Sequence, residues 1–150
     1  MTQDEFRQKF KGSPVKRAKW RGLLRNVSVA LSTSDAPEAE AALNQAKALT
    51  PDNDLVRQDL AGIYRMHGRY KEAIAEYQQS LRIRSSASTY AGLGGAYFYE
   101  HRFQDAVGAV EAAIDLDSSD YRSWGNLGIY CHWAPGNESK SVPALNRAIE

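Results

Sequence analysis

This chain repeats itself: one pattern of apolar and small residues recurs every 33–34 positions. The pattern is clearest in residues 87–120. Its positions there are Tyr90, Leu93, Gly94 and Tyr97, followed by Ala106, Val110 and Ala113. Spacings of three and four put each group on one face of a helix, so each copy predicts two amphipathic helices. Gly94 and Ala106 are small, which indicates that the two helices cross closely.

Two further copies predict two further helix pairs. The residues in register are Leu60, Ala61, Tyr64, Ala73 and Tyr77 in the copy at 54–86, and Trp124, Leu127, Gly128, Leu145 and Ala148 in the copy at 121–150. In the first of these copies, Ser80 stands where the clearest copy has alanine. The last copy stops at Glu150, inside its second helix. We therefore expect a truncated repeat, with the chain a piece of a longer protein or its end covered by another surface.

These residues resemble the tetratricopeptide repeat, in which a large residue, Leu-Gly and Tyr on a first helix precede Ala, an aromatic residue and Ala on a second. Only Val110, a smaller apolar residue, departs from that pattern in the clearest copy. The resemblance implies an all-α fold, an α-solenoid in which antiparallel helix pairs stack into a right-handed superhelix. It also implies that the chain binds partner proteins along a concave groove.

In this family the groove is lined by first-helix positions that are offset from the core face. The residues that the resemblance assigns to a peptide groove are Gln58, Arg65, Ala91, Phe98, Tyr99, Arg122, Ile129, His132 and Trp133. Small residues beside them leave room for a peptide, and the aromatic residues supply its walls. The alternative is that Phe98, Tyr99 and Trp133 pack on the neighbouring repeat. Chaperone-binding members hold a terminal carboxylate with a Lys/Asn/Arg clamp, but Gln58 and Gly62 occupy two of its places, so no such clamp is expected.

Residues 1–52 predict basic N-terminal helices followed by a degenerate repeat of the HEAT or tetratricopeptide kind. A first short helix ends at Gly12, a second covers residues 14–31, and an alanine-rich helix covers residues 38–49. With the three pairs, this gives about nine helices in one continuous solenoid. Residues 1–26 carry eight basic and two acidic residues, a net charge of +6, and the remainder carries −5. Such a basic head indicates either a contact with a polyanion or a solvated basic helix face.

The segment from Phe6 to Leu31 resembles the C-terminal HEAT-like helical tail of bacterial tRNA epoxyqueuosine reductases. The positions that carry the resemblance are Phe10, Gly12, Ser13, Pro14, Lys16, Arg17, Gly22, Leu23, Leu24, Arg25, Asn26, Ala30 and Leu31. In that family the tail helps to hold the tRNA, which implies phosphate contacts here. The basic residues concerned are Lys11, Lys16, Arg17, Lys19, Arg21 and Arg25. The reductases' iron–sulfur and cobalamin chemistry is not implied, because their cysteine runs are missing.

The sequence holds no catalytic, metal-binding or cofactor-binding constellation. The single cysteine, Cys131, excludes an internal disulfide and a multi-cysteine metal site, and its place in the repeat predicts a buried core residue. His67 and His101 lie 34 residues apart at matching places beside inter-helix turns, which indicates a structural role. An apolar run of about 18 residues is missing, so no membrane span is expected. The polar N-terminus is not a secretory signal, and we expect a cytoplasmic protein.

Two functions follow from these patterns. The first is a non-catalytic protein-interaction scaffold that holds a peptide or helix in the groove, with a ligand whose identity the pattern does not specify. The second is an RNA-binding tail of an epoxyqueuosine-reductase-like protein, which contacts tRNA through its basic head and whose catalytic part lies outside this chain. DNA is not an expected partner. The repeat pattern covers more of the chain and favours the scaffold.

Overall fold

The computed structural model describes residues 36–149. Within that range the regular elements are the seven helices α1 (Ala36–Leu49), α2 (Asp54–Met66), α3 (Tyr70–Ile83), α4 (Ala87–Tyr99), α5 (Phe103–Leu116), α6 (Tyr121–Trp133) and α7 (Glu138–Ile149). The two helices predicted before residue 32 lie outside the described residues. The chain divides into two compact units, residues 1–51 and 52–150.

In the first unit, α1 is the predicted alanine-rich helix, and it begins at Ala36 rather than at residue 38. Leu43 and Ala46 lie three apart on its buried face, as the pattern of the degenerate repeat predicts. At the C-terminal end of α1 the Thr50 N–H makes the last helical hydrogen bond, to the Ala46 carbonyl at 2.9 Å, and the Thr50 hydroxyl donates to the same carbonyl at 2.9 Å.

The second unit consists of the three predicted helix pairs, α2 with α3, α4 with α5, and α6 with α7. Each helix packs on the next one along the chain, and the first helices of neighbouring pairs also contact each other. This confirms the all-helical solenoid class. Asn53 begins α2 because its side chain accepts the N–H groups of Leu55 and Val56, and Asp120 begins α6 in the same way by accepting from Arg122.

In the first two helix pairs, the turn between the two helices contains a residue in the left-handed conformation, at matching places in the repeat. Gly68 has a φ of 73° and His101 has a φ of 59°. In each turn the following arginine donates its N–H to the helix, Arg69 to Tyr64 and Arg102 to Tyr97, both at 2.9 Å. The prediction that His67 and His101 are equivalent is therefore wrong: His101 corresponds to Gly68, because the turn requires a positive φ at that position.

Small residues allow the close helix crossing that the sequence predicts. A Cβ on Gly94 would lie 3.3 Å from the Ala106 carbonyl oxygen, so a side chain there would force α4 and α5 apart by a few tenths of an ångström. Ser80, the departure from alanine in the first copy, is fully buried and donates its hydroxyl to the Asp54 carbonyl at 2.8 Å. That hydrogen bond is what allows a polar residue in this core position.

Candidate functional site

A groove of about 930 Å³ runs over the first helices of the three pairs. Its lining comes from α2, α4 and α6, with one residue of α3 and the loop before α6. The lining residues are Gln58, Arg65, Tyr77, Ala87, Ser88, Ala91, Gly92, Gly95, Tyr99, Asp117, Ser119, Asp120, Tyr121, Arg122, Asn126 and Tyr130. All of them belong to the second unit, so the groove is formed within one compact body. We refer to this surface as the groove.

The floor of the groove is the part of α4 that carries Gly92 and Gly95, which have no side chains. A Cβ on Gly92 would lie 2.6 Å from the Tyr77 ring, which is a contact too short to exist. The glycine therefore lets Tyr77, a residue of the second helix α3, reach the groove from behind α4. A Cβ on Gly95 would lie 3.8 Å from Cδ of Arg65 and 3.7 Å from the Tyr130 hydroxyl. The Arg65 side chain and the Tyr130 hydroxyl therefore both lie beside Gly95 on α4, at ordinary contact distance from where its Cβ would be.

Gln58 lines the groove but its amide is already bonded to the neighbouring repeat. Its Nε2 donates to the Ser88 hydroxyl at 2.9 Å, and its Oε1 accepts from the Thr89 hydroxyl at 3.0 Å. Thr89 is fully buried, so Gln58 supplies the acceptor that this hydroxyl needs. Gln58 therefore fixes α2 against α4 rather than presenting a free amide to a ligand.

One part of the groove is rich in carboxylates that are held in place. Asp120 caps α6 and accepts from the Ser123 hydroxyl at 2.8 Å and from Arg122 Nε at 3.1 Å. Desolvation raises the pKa of Asp120, but the hydrogen bonds from Ser123 and Arg122 outweigh it and lower the pKa overall. Asp117 accepts from both the N–H and the hydroxyl of Ser119. Arg122, a predicted groove residue, thus forms an ion pair with Asp120, two residues before it.

Another part of the groove combines an arginine with phenol groups. Arg65 Nε is buried and has no hydrogen-bond partner among residues 36–149. Burial raises the pKa of Tyr77, and the neighbouring Arg65 guanidinium offsets part of that rise. Burial also raises the pKa of Tyr130 to about 12, with a further contribution from Tyr99. Both phenols are therefore protonated hydrogen-bond donors at neutral pH.

Four of the predicted groove residues do not line the groove. Phe98 is half-buried and stacks on Tyr130 of the next pair, with ring centroids 4.8 Å apart, which is the packing alternative that the sequence left open. Trp133 stacks on Phe103 at 6.0 Å while remaining 57% exposed. His132 contacts the Trp133 ring edge-on, and Ile129 is exposed. The groove thus contains Gln58, Arg65, Ala91, Tyr99 and Arg122 of the nine predicted residues.

Two lining residues could not be assigned from the repeat pattern. Tyr77 occupies a core position of a second helix, and its ring reaches the groove only because Gly92 has no Cβ to block it. Tyr130 lies one position before the expected core residue Cys131, and it lines the groove over Gly95. The signal that could have found both is the glycine-rich stretch of α4, since Tyr77 lies against Gly92 and Tyr130 lies beside Gly95.

Among the residues that the structure describes, no cluster of histidine, cysteine and carboxylate side chains could hold a metal ion. Cys131 is fully buried, as predicted, and desolvation raises the pKa of its thiol. In the same part of the chain no helix has the length and hydropathy to cross a membrane.

Two family models match the chain. A model described as YpiA-like, tetratricopeptide repeats, covers residues 37–83, and one described as tetratricopeptide repeat covers residues 92–150. This chain carries tetratricopeptide repeats. No curated protein matches it significantly. The predicted resemblance to the tetratricopeptide repeat is therefore confirmed.

Solved structures with the same fold come from several kinds of protein. A crystal structure of MamA protein is 23% identical, covers 85% of this chain and 69% of its own, and has a TM-score of 0.77. A Thermobaculum terrenum O-GlcNAc transferase is 18% identical over 87% of this chain and 26% of its own, with a TM-score of 0.77. The first repeat domain of Spaghetti (RPAP3), bound to the HSP90 peptide SRMEEVD, is 16% identical over 72% of this chain and 86% of its own, with a TM-score of 0.70. At these identities the likeness shows the fold.

The resemblance to the epoxyqueuosine reductases is not shown by these family models or structures. The basic residues assigned to phosphate contacts lie outside the described residues. They are Lys11, Lys16, Arg17, Lys19, Arg21 and Arg25.

Proposed function

We propose that this chain is a non-catalytic protein-interaction scaffold that binds a peptide segment in the groove. The observation that carries the proposal is the groove itself: about 930 Å³ of space over three consecutive first helices, with Ala91, Gly92 and Gly95 as its floor. Small residues on a helix allow the backbone of a ligand to approach closely. The RPAP3 structure supports the proposal, because its repeat domain is bound to a peptide of a partner protein.

The rim of the groove offers the contacts that peptide recognition needs. Tyr99 is 53% exposed and stacks on Tyr70 at 5.1 Å, which fixes an aromatic wall with a polar edge. Asn126 and Ser119 add neutral hydrogen-bonding groups along the same surface. Binding sites of this type combine an apolar floor with a small number of placed polar groups. A cytoplasmic location remains part of the proposal.

The proposed ligand is not the terminal carboxylate that the chaperone-binding members clamp. Two clamp places are occupied by Gln58, whose amide bonds Ser88 and Thr89, and by Gly62, which has no side chain. We therefore expect specificity to come from other groove positions.

A selection with a matched pair of variants tests the proposal. Random dodecapeptides displayed on phage are enriched on the intact chain, and the selected peptides are measured by fluorescence anisotropy. Ala91→Arg fills the floor of the groove with a long charged side chain. Ala75→Arg makes the same change at an exposed position of α3 that does not line the groove.

We expect affinities in the micromolar range and a loss of at least about tenfold in Ala91→Arg, with Ala75→Arg close to the parent. Circular dichroism of both variants checks that the helices are intact. If no peptide is enriched, or if Ala91→Arg and Ala75→Arg bind the peptides equally, the groove is not the binding site.

A further inference from the structure

The buried Nε of Arg65, a cationic residue that lines the groove, has no hydrogen-bond acceptor among the described residues. Arg65 Nε donates to no acceptor among the described residues, and no carboxylate there forms an ion pair with Arg65. The only partner of the guanidinium in that range is the Tyr77 phenol, whose pKa a hydrogen bond from Arg65 lowers against the effect of burial. A guanidinium has five donors and no acceptor, so it needs oxygen atoms around it. Buried polar atoms in proteins are normally satisfied, and an exception calls for a physical cause such as a bound group.

The position of Arg65 directs it toward the groove. Its Cδ would lie 3.8 Å from a Cβ on Gly95, so the side chain leaves α2 and crosses over α4 at the glycine. The Tyr130 hydroxyl would lie 3.7 Å from the same point, which brings a phenol of the third pair beside it. Tyr77 completes the surroundings from behind α4. A guanidinium and two phenols from three different helices thus converge on one part of the groove.

We propose that Arg65, Tyr77 and Tyr130 form a subsite for a single carboxylate, and that the partner is a peptide with one aspartate or glutamate side chain at this place. A carboxylate supplies two acceptor oxygens in one plane, which matches the fork of a guanidinium, and the phenol groups can donate to the same oxygens. The inference rests on the proposed function for the identity of the ligand as a peptide.

The charges of the groove favour one carboxylate over a polyanion. Asp117 and Asp120 line the same groove, and like charges placed together oppose binding. A phosphorylated or polyanionic segment would meet these carboxylates, whereas an isolated acidic residue flanked by neutral or basic ones would not. The subsite also differs from the chaperone clamp, since Arg65 lies two turns beyond Gln58 on α2.

The subsite can be tested without knowing the peptide. In the ¹⁵N-labelled chain, the Nε–Hε resonance of Arg65 is assigned by its loss in Arg65→Lys. Three probes are titrated: glutamate blocked as N-acetyl-N-methylamide, the equally blocked glutamine, and inorganic phosphate. The resonance of Arg82, which is exposed on α3, serves as an internal control for unspecific ionic effects.

We expect blocked glutamate to move the Arg65 resonance saturably with a dissociation constant of about 1–30 mM, and blocked glutamine to leave it in place. Tyr77→Phe weakens the effect severalfold, because it removes one donor. No saturable shift, an equal shift with glutamine, or a shift of Arg82 that matches that of Arg65 overturns the subsite. Tighter binding of phosphate than of glutamate overturns the assignment to an acidic side chain.

The peptides selected on the intact chain separate this inference from the proposed function. If they bind in the groove and carry an acidic residue, Arg65→Gln reduces their affinity at least about tenfold. If they bind in the groove without an acidic residue and tolerate Arg65→Gln, the carboxylate subsite is wrong while the scaffold function stands. If the affinity of the selected peptides is unchanged by Ala91→Arg, the proposed binding in the groove is contradicted instead.

Discussion

Gln58 connects the first helices of two neighbouring repeats, and we expect its removal to destabilise the solenoid measurably. Its side chain bonds Ser88 and Thr89 at 2.9 and 3.0 Å, and only the Thr89 hydroxyl is buried. A buried hydroxyl that loses its partner costs about 1–3 kcal/mol. A threonine in a helix can instead donate to a carbonyl of its own preceding turn. We therefore expect Gln58→Ala to lower the free energy of unfolding by about 1–2 kcal/mol.

The assay is urea unfolding followed by far-UV circular dichroism, with Gln79→Ala as the matched control. Gln79 is exposed on α3 and forms no side-chain hydrogen bond among residues 36–149, so its removal is expected to cost less than about 0.5 kcal/mol. Thr89→Val keeps the shape of the side chain and removes the hydroxyl. The double variant of Gln58→Ala and Thr89→Val should cost about 1 kcal/mol less than the sum of the single variants.

Two results would refute this reasoning. One is an equal loss of stability in Gln58→Ala and Gln79→Ala. The other is strict additivity of Gln58→Ala and Thr89→Val, because a pair that shares a hydrogen bond must show a coupling energy.

Three further predictions concern other parts of the second unit. Gly68→Ala should destabilise the chain by about 1 kcal/mol because Gly68 has a φ of 73°. Gly108→Ala, at an open helical position of α5, should stabilise it by about 0.5–1 kcal/mol. Urea unfolding measures both, and a change of the same sign in the two free energies of unfolding would contradict this prediction. Tyr130 has its pKa raised to about 12, so the unfolded chain ionises first and stability should fall as the pH rises from about 10 to about 12; Tyr130→Phe should remove that part of the pH dependence, and an unchanged slope would exclude it. The Cys131 thiol is buried with a raised pKa and should resist Ellman's reagent until urea unfolds the chain, a result that fast labelling of the native state would contradict.

The helix pairs could be predicted from the sequence because each one is encoded locally. Leu93, Gly94 and Tyr97 recur at spacings that define one helix face, and their copies one repeat away reinforce the same pattern. The positions of the helices in the second unit could therefore be predicted from this repeat pattern. The contact of Gly94 with Ala106 followed too, because two helices can cross closely only where both carry small residues.

The groove was only partly predictable because it depends on contacts between residues about thirty positions apart. Gln58 bonds Ser88 and Thr89 of the next repeat, and nothing in the local pattern specifies which rotamer its side chain adopts. The register of the repeat assigned Phe98 to the groove, yet Tyr130 from the next pair offers it a stacking surface and removes it from the lining. The repeat pattern predicts the position of each residue on its helix, whereas contacts with neighbouring side chains determine the direction in which its side chain points.

An unpredicted contact repeats with the same period as the core. The Arg69 guanidinium lies 4.3 Å from the centre of the Tyr64 ring, and Arg102 lies 4.4 Å from that of Tyr97. Both arginines follow the left-handed residue of their turn, which places the side chain over a core tyrosine near the end of the first helix. A cation over an aromatic face stabilises such a turn. The pair could be predicted only once the turn geometry was known.

The central claim is that the groove binds a peptide, and the most direct measurement is the map of chemical-shift changes in the ¹⁵N-labelled chain on addition of a selected peptide. We expect the largest changes on the amides of Ala91, Gly92 and Gly95, and no change on the amide of Gly108. Changes confined instead to the exposed apolar residues of α7, such as Val142 and Ile149, would contradict the claim and place the binding surface at the last helix.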